Sequence, residues 1–269
     1  MTDAVSTAAA DTAGVSSAFS AARARLGLVT LLFALAAAAW WFTVDRMRGM
    51  DDGPGTDLGT LGWFIGVWVV MMAAMMFPSV SPTVALYSRM TRSREPVAPL
   101  VFCGGYLLSW STAGLLAFWI SDLGGSLLGG ALAWHRGGRW VASAILVAAA
   151  LYELTPLKNI CLAKCRSPLG FLLGSWRGGR IGALQMGVRH GAWCVGCCWA
   201  LMAALFALGM MSIAWMAFVA GLIAVEKLLP WRRVAIWGTA AILLLLGMLL
   251  VVSPDMIPGF TTPSSSMMG

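Results

Sequence analysis

Charge is what this sequence has least of. Of 269 residues, 18 are Lys or Arg and 11 are Asp or Glu, so 11% are charged, against about one quarter in an ordinary soluble domain. With 59% hydrophobic residues and a mean hydropathy of +0.82, the composition is that of an integral membrane protein. Histidine is scarcer still, at two, too few for the paired histidine helices that hold haem. Three catalytic signatures are also missing: a glycine-rich phosphate loop ending in Lys and Ser or Thr, an HExxH helix, and a GxSxG elbow. ATP-driven pumping and hydrolysis therefore have no visible machinery, and no residue is given a catalytic role. The net charge of +7 does not point to nucleic acid, because the basic residues fall in short clusters between apolar runs and form no continuous face.

What the sequence has in quantity is long apolar runs. They cover residues 26–44, 61–86, 100–120, 140–157, 181–208, 212–228 and 234–252, and a run of about 20 residues spans the hydrocarbon core as a helix. The pattern predicts an all-α, polytopic transmembrane helical bundle of about seven spans. Basic residues set its direction. With the N-terminus inside, Arg23 and Arg25, Arg89 to Arg94, Lys158 to Arg180, and Lys227 to Arg233 all face the cytoplasm, while Asp45, Asp51, Asp52 and Asp57 lie outside. The C-terminus is then outside, and the expected location is a bacterial inner membrane. Residues 1–22, rich in Ala, Ser and Thr, read as a disordered cytoplasmic tail; residues 23–252 form the membrane domain, and 253–269 a flexible C-terminal tail.

Against this apolar background, "RHGAWCVGCCWALM", residues 189–202, places one histidine and three cysteines within a span. A helix turns about 100° per residue, so Met186, His190, Cys194, Cys198 and Met202, each four after the last, drift slowly across one face. Cys197 flanks that face. Titratable groups within a span are costly and usually functional, and imidazole, thiolate and thioether suit soft or borderline metals. His190, Cys194, Cys197 and Cys198 are therefore candidate ligands, with Met186 and Met202 as accessories.

Cys161 and Cys165, four apart in "NICLAKCRSP", form a second pair on one helix face near the inner surface. Basic neighbours favour their thiolate forms. Metal ligation, palmitoylation and plain packing all fit this pair. Glu153 and Glu226 are isolated acids at the ends of apolar runs, open to roles as ligand, proton acceptor or half of an ion pair. In "MMAAMMFP" Met75 lies over Met71 and Met76 over Met72, a double thioether stripe that fits either packing or passage of Cu(I).

Together "MMAAMMFP", "YELTPLKNICLAKCRSP", "HGAWCVGCCWALM", "GMMSIAWM" and "EKLLP" resemble a family of bacterial integral membrane proteins known only as predicted metal-binding, over roughly residues 60–230. The resemblance implies a polytopic helical fold and a bound metal, but no reaction. Cys161, Cys165, Cys194, Cys197, Cys198, Glu226 and Lys227 sit in its motifs. The functional expectation is binding, delivery or transport of a soft metal, Cu(I) first and zinc second, with membrane lipid and another membrane or metallochaperone protein as partners. Two alternatives stand beside it: a transmembrane thiol-disulfide redox carrier, and an accessory or assembly subunit of a membrane metalloenzyme.

Overall fold

The helices follow the apolar runs, and α3 overshoots its run at both ends. The structure, a computed structural model, describes residues 26–46, 59–91, 95–128, 137–209 and 212–252. The two terminal tails and His135 lie outside these residues. All the regular elements described are helical: α1 (Leu26–Arg46), α2 (Leu61–Thr91), α3 (Ala98–Leu128), α4 (Arg139–Glu153), α5 (Pro156–Arg166), α6 (Pro168–Ser175), α7 (Gly179–Leu208), α8 (Ile213–Leu228) and α9 (Arg232–Val252). Five of them, α1, α2, α3, α7 and α9, are long and apolar enough to cross a membrane.

The run expected as one span over residues 140–157 is broken. Helices α4 and α5 meet at a 67° bend, and if the pair counts as one span the number rises to six. Pro156 explains the break: it supplies no N–H, and its ring disfavours helical backbone in the preceding residue. Thr155, extended at φ −73° and ψ 151°, caps the new helix by accepting from the Lys158 N–H. Pro78 and Pro82, by contrast, sit inside an unbroken α2. At 16 residues α8 reaches about 24 Å, short of the usual hydrocarbon thickness.

Helix α7 is the hub, packed against α3, α4, α5 and α8. Lipid is as apolar as a leucine side chain, so association depends on close fit and polar contacts rather than on burial of oily surface. Small residues provide that fit along α3 and α7. Side chains built at Gly105 and Gly187 would strike backbone of the facing helix, and Ser109 Oγ donates across the seam to Val188 O at 2.8 Å. Gly187→Val should therefore wedge the seam and cost at least the roughly 1–3 kcal/mol of an overpacked core. Gly104→Ala, with open space at its Cβ position, should not. Thermal unfolding in detergent compares the two.

Candidate metal centre

Four side chains predicted from the "RHGAWCVGCCWALM" stretch, His190, Cys194, Cys197 and Cys198, are all buried on α7. They do not all gather at one point. The Sγ atoms of Cys165, Cys194 and Cys197 lie within 4.8 Å of one another. Cys197 Sγ is 3.7 Å from Cys165 and 3.2 Å from Cys198, which stands at the flank of the group. A soft ion with metal–sulfur bonds of about 2.3 Å, centred in a triangle of sulfurs, holds them about 4 Å apart. The observed spacing and the all-sulfur donor set fit such an ion.

The local fold brings Cys165 to α7. Tyr152 Oη donates to Gly196 O at 2.6 Å, tying α4 to α7. Gly196 itself is needed for the approach of α5, since a Cβ there would sit 2.8 Å from Cys161 Sγ. At the other end of α5, Arg166 donates to Glu226 O at 2.7 Å and to Leu229 O at 2.5 Å, closing on the carbonyls that end α8. Cys165 is therefore clamped between two anchored ends of α5. It is half-buried where Cys194 and Cys197 are buried, making it the most exposed residue of the three.

The glutamates meet over a lysine. Lys158 Nζ reaches Glu153 Oε2 at 2.5 Å and Glu226 Oε2 at 2.8 Å, with side-chain exposures of 0% for Lys158 and Glu153 and 2% for Glu226. Of the roles left open for Glu153 and Glu226, the ion pair is the one observed. Lys158, read from sequence as a basic residue facing the cytoplasm, is instead fully enclosed, because two carboxylates offset the cost of burying its charge. The triad joins the end of α4, the start of α5 and the end of α8 across the bend.

The remaining candidates are spread out. Cys161 is buried on α5 beside Gly196, outside the group of three sulfurs. His190 is ringed by Phe102, Tyr106 and Phe171, and its Nδ1 has no hydrogen-bond partner. Met186 Sδ accepts the Arg177 N–H at 3.3 Å, at the start of α7. Met71, Met72, Met75 and Met76 are buried on α2 and Met202 on α7. Met76 Sδ lies 3.9 Å from Lys227 Nζ.

Two neighbours of the thiols had no site role in the sequence reading, although Lys227 lies in a motif of the resembled family. Tyr106 Oη lies 3.0 Å from Cys194 Sγ, and Lys227 Nζ lies 3.1 Å from the same sulfur. Lys227 carried a weak signal, a charge at the end of the apolar run of α8. Tyr106, in "FCGGYLLSW", carried none, because its partner is 88 residues away. Tyr106→Phe removes a group that orients a sulfur without removing the sulfur. It should weaken metal binding by about 10- to 100-fold, the range for such supporting contacts, as measured by chelator competition.

Long apolar helices closed around a buried thiol cluster place this protein in the metal-handling class. More particularly, the chain belongs to the copper chaperone family PpoB2, whose model matches residues 65–250. No curated protein and no solved structure matches it.

Proposed function

We propose that this protein is a multi-pass membrane protein of the bacterial inner membrane that binds Cu(I) and passes it to another protein. Cys165, Cys194 and Cys197 hold the ion, and Cys198, Cys161 and His190 stand in reserve around it. The observation that carries this reading is the mutual approach of three sulfurs from α5 and α7 to within 4.8 Å. Copper is cargo here, with zinc the second choice for a cluster of this chemistry. Seven crossings, with the N-terminus inside and the C-terminus outside, arise when α4 and α5 count as one broken span and the short α8 as another. The tails at 1–22 and 253–269 are dispensable for the site. Partners are lipid and a membrane or metallochaperone protein, and nucleic acid has no part.

Copper exchange enters through Cys165, the half-buried member of the cluster, and the buried pair on α7 retains the ion. Thiol-to-thiol transfer needs no ATP, in keeping with the missing phosphate loop. The test is Cu(I) titration of reduced protein, purified in mild detergent, against a calibrated chelator. One tightly held ion per chain with an all-sulfur X-ray absorption shell is expected. A nitrogen- or oxygen-dominated shell, or no retained copper, sinks the proposal.

The 3.7 Å contact between Cys165 and Cys197 favours one second reading, thiol redox exchange between α5 and α7. Under the copper reading, oxidation by diamide should abolish Cu(I) binding, prior loading with Cu(I) should block the oxidation, and dithiothreitol should restore binding. A redox carrier would instead cycle the disulfide whether or not copper is present.

A further inference from the structure

The ammonium beside the thiols is an unusual neighbour for a cation site. Lys227 comes from the end of α8, and its three protons have three acceptors: Cys194 Sγ at 3.1 Å, Ser79 Oγ at 3.3 Å and Met76 Sδ at 3.9 Å. Ser79 is itself fixed by donating to Met76 O at 2.9 Å, which leaves its oxygen turned to accept from Lys227. The adjacent Glu226 does not neutralise this ammonium, because its carboxylate is engaged by Lys158 at 2.8 Å. One positive charge is thus held against a sulfur of the cluster by groups from α2, α7 and α8.

We propose that Lys227 sets the charge of the metal that the thiols accept, favouring monovalent d10 ions over divalent ones. The inference rests on the copper reading above and names a determinant of its selectivity. Two effects act together. A fixed positive charge beside the ligands repels a divalent ion more than a monovalent one in the same position, by the Coulomb energy of the extra charge. Zinc sites are also usually four-coordinate, whereas Cu(I) is satisfied by two or three thiolates. The ammonium 3.1 Å from Cys194 Sγ has no lone pair to offer as a fourth ligand.

The discriminating experiment uses two isoelectronic pairs, Cu(I) with Zn(II) and Ag(I) with Cd(II), so that charge is varied within each pair. Affinities of all four ions for the reduced full-length protein in detergent are measured by chelator competition. In Lys227→Met the preference for the monovalent member of each pair should fall about tenfold or more, and Lys227→Arg should keep it. Lys227→Gln, neutral but still able to donate to Cys194, should behave like the Met variant and serves if that variant does not fold. A merely structural lysine would change stability and leave both ratios alone. Preferences within about twofold of wild type in the neutral variants overturn the proposal. A wild type whose thiols bind none of the four ions overturns the copper reading and this inference with it, a result distinct from binding with unchanged preference.

Discussion

Replacing Cys194 and Cys197 together by serine should weaken Cu(I) binding by more than about 100-fold, beyond what loss of a supporting contact produces. These two residues supply the buried sulfurs of the group, and Cys197 also touches both Cys165 and Cys198. A hydroxyl in place of a thiolate is a harder and much less acidic ligand, unsuited to a soft ion. Cys161→Ser should lose far less, since its sulfur lies outside the group. Cys103→Ser is the control, being buried on α3 without a place in the cluster. Copper competition on all three, with thiol counting to show that the remaining cysteines are reduced, decides the matter. Equal affinity in the double variant and in wild type would remove the cluster from consideration.

The largest loss of stability should come from a residue that never touches the thiols. Lys158→Met strands Glu153 and Glu226 in an enclosed space, after the ammonium in contact with both is gone. Breaking a buried ion pair by removing one partner costs about 3–5 kcal/mol, and here two carboxylates are left facing each other. The damage should centre on the bend between α4 and α5, so thermal unfolding should fall steeply and Cys165 should become more reactive to maleimide. Adding Glu153→Gln and Glu226→Gln to the same variant should recover much of the loss, because neutral side chains of similar volume can replace a buried charged group at little cost. A Lys158→Met protein as stable as wild type would mean that the triad is not what pins the bend.

Much of the fold was legible because its signals are local. Apolar runs give helices wherever backbone groups must satisfy one another in lipid, and the runs over the described residues became helical, that over 140–157 as two helices. The break after Glu153 was harder to read. Pro156 interrupts the helix where Pro78 and Pro82 do not, and what distinguishes them is tertiary: Lys158 turns back onto Glu153 and Glu226, and Arg166 grips the end of α8. Counting apolar residues cannot see such anchors. The same limit applies to Lys158, whose place in a basic cluster suggested water while its partners lay 5 and 68 residues away.

By itself, then, the sequence determined an all-helical chain with spans long and apolar enough for a membrane, and it set Cys194, Cys197 and Cys198 on one face of α7. That followed from helical periodicity, which depends only on near neighbours. Tertiary structure alone decided that Cys165 joins two of those thiols while Cys161 turns toward Gly196. It also enclosed His190 in aromatic rings and brought Tyr106 and Lys227 to Cys194. The physical reason is separation: these partners lie 32, 88 and 33 residues apart along the chain. Their meeting depends on how closely α3, α5 and α8 can approach α7, which glycines and buried charges on different helices settle jointly.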